Sequence, residues 1–264
     1  MFHTIKQGTL EYLTADALTG SIHCFSTRFG GVSEGHLASL NLGTHRGDRP
    51  ENVRENYRIL GAAVGFAPEQ TVFTRQEHTD LILRVGKADC GTGLSREQTV
   101  VCDGLVTDEP GVALCCFGAD CTTILLFDPA TGALGAVHSG WRGTAMGIAA
   151  KAVAAMTREF GSRPSDIRAA IGPCIGLCCF EVGPEVPEAM RNALGADAEP
   201  FFEPRGEKYH VDLKGLNRLW LKRAGLSEID VCPDCTKCQP ERFWSHRAVG
   251  NQRGSQAAII MRKE

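Results

Sequence analysis

Residues 103–143 read DGLVTDEPGVALCCFGADCTTILLFDPATGALGAVHSGWRG. Two apolar runs, starting near residues 122 and 133, flank the turn sequence Asp128-Pro129-Ala130-Thr131-Gly132, which is the pattern of a β-hairpin. Antiparallel pairing sets the start of one run beside the end of the other. Cys121 precedes the first run and His138 closes the second, so thiol and imidazole fall at the same end of the hairpin. His78 lies in FTRQEHTD, between β-like runs at 71–74 and 81–85, and is expected on a tight connection at a sheet end. Two histidines and a cysteine then converge from distant sequence.

Working outward, DRPENVRENYRILGAAVG predicts a helix with Pro50 in its first turn and Val53, Tyr57 and Leu60 on one face. Further strands are expected near residues 71, 81, 100 and 112. After Trp141-Arg142-Gly143 a helix is predicted with Thr144 as N-cap, an apolar stripe of Ala145, Ile148, Ala149, Ala152 and Met156, and Gly161 as its stop. Arg142 then sits at a helix entrance. A strand at 167–171, a cysteine-rich turn, helices at 184–194 and 212–224, and a last strand at 256–261 complete the pattern. Adjacent strands interrupted by helices, without strict alternation, indicate an α+β fold, read as one domain over 1–264.

The 264 residues are 43% hydrophobic, enough for a substantial core. A net charge of −3 gives no electrostatic reason to expect nucleic acid or an anionic membrane as partner, so a small-molecule substrate is expected. No apolar run approaches the ~20 residues that span a bilayer, and residues 1–16 lack the pattern of a signal peptide. The expectation is a cytoplasmic protein, a monomer or weak homo-oligomer. Most of the twelve cysteines are then small buried hydrophobes, with a minority serving as ligands or nucleophiles.

Two imidazoles and a thiolate suit zinc, which in catalytic sites keeps a fourth position open for water. No compact motif such as HExxH links His78, Cys121 and His138, so spacing alone favours reading them as unrelated core or surface positions. HSGWRG can bring Arg142 to a phosphate at a helix N-terminus, or can be a Gly-rich turn with Trp141 packed and Arg142 paired outside. The polar stretch from Thr27 to Asp48 carries Arg28, Ser39, Asn41, His45 and Arg46 and reads either as a binding loop or as a surface connection. Cys232, Cys235 and Cys238 form CPDCTKC, half of a metal motif with no second CxxC at the usual spacing; free thiols are the default there. GxGxxG, Walker A, GxSxG and EF-hand patterns are absent.

Taken together, TRFGGVS, SLNLGTHRGD, QEH, DGLVTD, GADC, HSGWRG, IGPCIGLCCFEVG and FWSHR resemble, in that order, the laccase-like multi-copper polyphenol oxidase or YfiH family, also described as purine nucleoside phosphorylases or peptidoglycan-editing factors. The resemblance implies a layered α-β-β-α sandwich shared with toxin cysteine hydrolases. It also implies a zinc site at His78, Cys121 and His138, with copper as the other candidate metal. The implied activity is phosphorolysis of adenosine, inosine and S-methyl-5'-thioadenosine, with adenosine deamination as a second reaction. Catalytic candidates are His78, Cys121, His138 and Arg142; substrate-binding candidates are Arg28, Asn41, Arg46 and Arg247. Where many relatives have an SYRRDG-like stretch, this chain has Ser245-His246-Arg247-Ala248-Val249-Gly250, followed by Arg253-Gly254; the tyrosine and the second arginine are gone, and His246 is a candidate proton donor that relatives lack.

Three other functions compete. Cys121 and His138 also fit a cysteine hydrolase or amidase acting on peptidoglycan precursors. A copper phenol oxidase fits the ligand type, but several coppers need far more than the eight histidines present. A zinc-binding partner protein without turnover would hold the metal and lack a substrate pocket.

Overall fold

The computed structural model describes residues 1–262. In chain order its strands are β1 (Phe2–Gln7), β2 (Leu10–Ala15), β3 (Ile22–Ser26), β4 (Thr71–Phe73), β5 (Ile82–Arg84), β6 (Gly104–Thr107), β7 (Ala113–Gly118), β8 (Thr122–Phe127), β9 (Leu134–Ser139), β10 (Arg168–Ile171), β11 (Glu181–Val182), β12 (Phe202–Arg205), β13 (Lys208–Val211), β14 (Ile229–Val231) and β15 (Gln256–Met261). The helices are α1 (Pro50–Val64), α2 (Trp141–Ala145), α3 (Ile148–Phe160), α4 (Glu185–Leu194), α5 (Leu213–Arg223) and α6 (His246–Val249).

Two six-stranded sheets, ordered β1-β2-β3-β15-β7-β4 and β14-β10-β8-β9-β6-β5, carry the fold, and β11-β13-β12 form a small third sheet. Period-two alternation along the central strands sets the layers. Leu114 and Cys116 of β7, Leu125 and Phe127 of β8, and Ala258 and Ile260 of β15 fill the space between the two large sheets. The alternate residues Ala113, Cys115 and Ile259 face Val53, Tyr57 and Leu60 of α1. Ile124, Leu126 and Val137 face Ile148, Ala152 and Met156 of α3 and Leu221 of α5. The result is the α-β-β-α sandwich that the family resemblance implied. Each buried Leu or Ile in these layers contributes about 1.5–3 kcal/mol through removal from water.

The hairpin forms in the register that the sequence reading requires, with Thr122 opposite Ser139 and Thr123 opposite His138. Pro50 starts α1, and Gly65, with φ 108°, ends it. The helix predicted after HSGWRG is divided. The carbonyl of Thr144 accepts from the Trp220 indole at 2.8 Å, Gly147 takes φ 71°, and the chain restarts as α3. Thr144 is therefore no N-cap of the long helix. It lies inside α2, where its hydroxyl donates to the Gly140 carbonyl and accepts from the Asn217 amide, both at 3.0 Å.

Among the connections that carry the chain from one large sheet to the other, two build the site: residues 74–81, between β4 and β5, and residues 119–121, between β7 and β8. Because β4 and β7 are parallel, both crossings leave from the same end of their sheet. They meet the end of the β8–β9 hairpin there, which brings three remote segments to one place.

Candidate functional site

His78 sits on the first crossing with φ 61°, a left-handed conformation that a non-glycine residue holds only when its surroundings fix it. Asp103, fully buried, supplies that constraint. Its carboxylate accepts from the backbone N–H groups of Glu77, His78 and Thr79 at 3.2, 3.1 and 2.8 Å, and from the Thr79 hydroxyl at 2.8 Å. The same carboxylate lies 2.7 Å from Nδ1 of His138, itself only 3% exposed. With Nδ1 donating to Asp103, Nε2 of His138 is left with its lone pair for a cation.

Cys121 completes the set. Its Sγ is 3.8 Å from His78 Nε2, the rings of His78 and His138 meet edge to face at 5.0 Å, and one donor atom from each residue lies within 4.8 Å of the others. Tetrahedral zinc with Zn–S near 2.3 Å and Zn–N near 2.0 Å needs about 3.5 Å between sulfur and nitrogen, so this donor set fits. Gly140 keeps the space open. A Cβ there would stand 2.7 Å from His78 Cδ2 and 3.3 Å from Cys121 Sγ.

The charges of the site reinforce one another. Burial alone would raise the Cys121 thiol, but the adjacent His138 charge and hydrogen bonds from both histidines bring it down to about 6. Burial disfavours a charged His138, yet the Cys121 thiolate and the Asp103 hydrogen bond raise it to about 9. Burial would also raise Asp103, and its bonds to His138 and Thr79 instead hold it at about 2. Without metal, the favoured state is a thiolate–imidazolium pair backed by a carboxylate.

The triad opens into a cleft of about 860 Å³. Phe73 and Phe117, in edge contact at 5.0 Å, form part of its wall, with Ile175 and Phe180 also lining it. Of the residues singled out from sequence, His45, Arg46, His78, Cys121, His138, His246 and Arg247 line this cleft. Arg28, Asn41 and Arg142 do not. The Arg28 guanidinium stacks 3.9 Å over Trp244 and donates to the carbonyls of Ala38 and Pro240. Asn41 is fully buried, its amide bonded to Gly43, Asp48 and Ser255, and so shapes the loop that carries Arg46. Arg142 is exposed on α2 and folds over Trp141 at 4.4 Å.

Two residues that the sequence reading gave no site role stand out. Asp103 is one; DGLVTD was recognised as a block, and its leading aspartate, just before β6 and beside His138, was the available signal. Arg253 is the other. It lines the cleft with Nη1 donating to the Gly254 carbonyl, while its buried Nε has no hydrogen-bond partner among the described residues. Burial first, and then repulsion from nearby Arg46, lower this guanidinium to about 10. Two arginines that oppose each other's charge in one cleft favour an anion between them.

A family model described as multi-copper polyphenol oxidoreductase laccase matches residues 22–263. The chain is 40% identical over 255 residues to the purine nucleoside phosphorylase YlmD of Geobacillus stearothermophilus, covering 95% of this chain and 93% of that one. It is 36% identical over 228 residues to the purine nucleoside phosphorylase YfiH of Escherichia coli K12, covering 86% and 88%. The crystal structure of YlmD from Geobacillus stearothermophilus superposes with a TM-score of 0.93 at 38% identity, over 99% of both chains. With the sandwich fold and a His/Cys/His donor set where two crossing loops meet the end of β9, the chain belongs to the laccase-like YfiH family.

Proposed function

We propose that the protein is a purine nucleoside phosphorylase acting on adenosine, inosine and S-methyl-5'-thioadenosine. The observation that carries this reading is the Arg46–Arg253 pair, with its unpartnered buried Nε, in the same cleft as the triad. Phosphorolysis needs an anion held beside the ribose C1′. A phosphate oxygen forms the new bond to C1′, the bond from C1′ to purine N9 breaks, and the departing base takes the electron pair and a proton. Arg46 and Arg253 hold the phosphate and Phe73 and Phe117 offer an apolar wall to the base. His246 lines the cleft, and in this reading it serves as the proton donor to the leaving purine.

His78, Cys121 and His138 would hold zinc, and copper is the alternative ion for the same ligands. Bound there, the metal would supply Lewis acidity and lower the pKa of a water. Asp103 fixes the His138 tautomer and the His78 loop. The same cleft serves adenosine deamination as a second reaction, in which water replaces the amino group at C6 and ammonia leaves. A location in the cytoplasm and a monomeric or weakly associating state complete the reading; among the described residues no helix is long and apolar enough to cross a membrane.

One observation favours a second function. Cys121, His138 and Asp103 line up as nucleophile, base and orienting carboxylate, as a cysteine hydrolase or amidase requires. Incubating zinc-loaded protein with adenosine, with and without phosphate, separates the two. Adenine formed only with phosphate supports the phosphorylase; no base release and no inosine, with an amide of a peptidoglycan precursor cleaved, supports the hydrolase.

A further inference from the structure

A second group of soft ligands lies outside the triad. Cys178 and Cys179, on the connection from β10 to β11, meet Cys235 and Cys238, between β14 and α6, so that all four Sγ atoms fall within 4.8 Å of one another. Cys238 Sγ is 3.6 Å from Cys178 Sγ and 3.4 Å from Cys179 Sγ. Tetrahedral zinc with four Zn–S bonds near 2.3 Å has sulfur–sulfur edges of about 3.8 Å, and the two closest separations lie within a few tenths of an ångström of that.

Core packing accounts for Cys235, which is buried beside Ile175 and Phe180 with Cys179 against the same layer, but not for the meeting of all four thiols. Cys24, Cys102, Cys115, Cys116 and Cys174 are wholly buried as small apolar groups, whereas Cys178 and Cys238 are exposed and Cys179 is half-buried. The surrounding backbone is arranged for a sulfur anion: the Gly176 N–H donates to Cys235 Sγ at 3.2 Å, and the Cys238 backbone also bonds that sulfur. Such N–H groups orient and stabilise metal thiolates. The two loops are already in register, through a bridge between Cys174 and Cys235 and a bond from the Thr236 N–H to the Cys174 carbonyl at 3.1 Å. Lys214 donates to the carbonyls of Cys232 and Asp234 and braces the second loop. Cys232 itself lies apart from the cluster, beside Asp234.

We propose that Cys178, Cys179, Cys235 and Cys238 bind a zinc ion as a closed tetrathiolate, a structural site separate from the His78–Cys121–His138 centre. Each cysteine gives up its proton to solvent as it ligates, and no position remains for water. The clamp acts on the cleft from behind. Ile175 and Phe180, on either side of Cys178 and Cys179, line the cleft wall. Thr236, between the other two ligands, donates to Asp120 Oδ1 at 2.6 Å, and Asp120, with φ 93°, sets the turn that presents Cys121. Zinc thus fixes two cleft-forming segments to each other.

The test is the metal content of the full chain purified in zinc without chelator, measured for the native protein and for Cys121→Ser, Cys178→Ser and Cys238→Ser. Cys178 and Cys238 are exposed, so their replacement leaves the core intact. The native protein is expected to hold one zinc more than either Cys178→Ser or Cys238→Ser. Cobalt-substituted Cys121→Ser should show intense sulfur-to-cobalt charge transfer and the visible bands of a tetrahedral thiolate site, lost when Cys238→Ser is added. Equal zinc in native and Cys238→Ser protein, no thiolate spectrum in Cys121→Ser, or a native disulfide at Cys238 found by mass spectrometry would each overturn the proposal.

Discussion

Asp103→Asn probes the site through a single atom. The carboxylate accepts five contacts, from three backbone N–H groups, the Thr79 hydroxyl and His138 Nδ1. An amide offers one accepting oxygen and a donating NH2. If the NH2 replaces Oδ1 it faces His138 Nδ1 and the His78 N–H, which drives the imidazole proton onto the nitrogen needed for metal. If it replaces Oδ2 it faces the N–H groups of Glu77 and Thr79 and loosens the loop bearing His78. Either orientation spoils one ligand, so zinc affinity should fall 10- to 100-fold, or about 1.4–2.7 kcal/mol. Buried N–H groups left unpaired cost a further ~1–3 kcal/mol each in folding stability. The folded-state pKa of Asp103 is depressed to about 2, so its contribution is present above the ordinary carboxylate range and is lost as pH falls from about 4 toward 2. Competition with a chromophoric chelator measures the affinity, and denaturant unfolding between pH 2 and 7 measures the stability. Native zinc affinity in Asp103→Asn would refute the role given to this residue.

Other perturbations reach the remaining parts of the site. In the metal-free protein, iodoacetamide should alkylate Cys121 with a pH midpoint near 6, and zinc should suppress the reaction; a midpoint near that of an ordinary thiol would remove the thiolate–imidazolium pair. Gly140→Ala places a Cβ 2.7 Å from His78 Cδ2 and should lower zinc affinity at least tenfold with the fold retained by circular dichroism; unchanged affinity would show that the triad does not need this gap. Arg253→Gln removes a charged donor worth about 1.5–3 kcal/mol, so the KM for phosphate should rise roughly 10- to 100-fold while Arg253→Lys recovers part of it. An effect confined to the nucleoside KM would place the phosphate elsewhere.

Much of the fold is written in local periodicity. The continuous apolar runs of β8 and β9, buried on both faces, and the one-sided stripe of α1 identify their own elements. The turn Asp128–Gly132 then fixes the register that sets Cys121 near His138. The position of His78 depends on something less local, the passage of residues 74–81 between two sheets, which motif order indicated and spacing did not. Asp103 and Arg253 stayed hidden because their meaning lies in burial and in partners remote along the chain. So did the meeting of Cys178 and Cys179 with Cys235 and Cys238, since half a metal motif looks incomplete until a distant loop supplies the rest. Arg28 and Asn41 illustrate the converse: a polar, Gly-studded stretch resembles a binding loop whether its side chains face a ligand or hold the loop's own carbonyls. The break after Thr144 was invisible locally because the Trp220 indole that takes its carbonyl comes from α5.

In the proposed function, phosphate attacks the nucleoside in this cleft. Phosphorus NMR of zinc-loaded protein with inosine and inorganic phosphate tests it most directly, with hypoxanthine followed in the same sample. A growing sugar phosphate resonance is expected that matches hypoxanthine release and is absent in Cys121→Ala and strongly slowed in Arg253→Gln. Hypoxanthine released with the phosphate signal unchanged, or no base released at all, would contradict it.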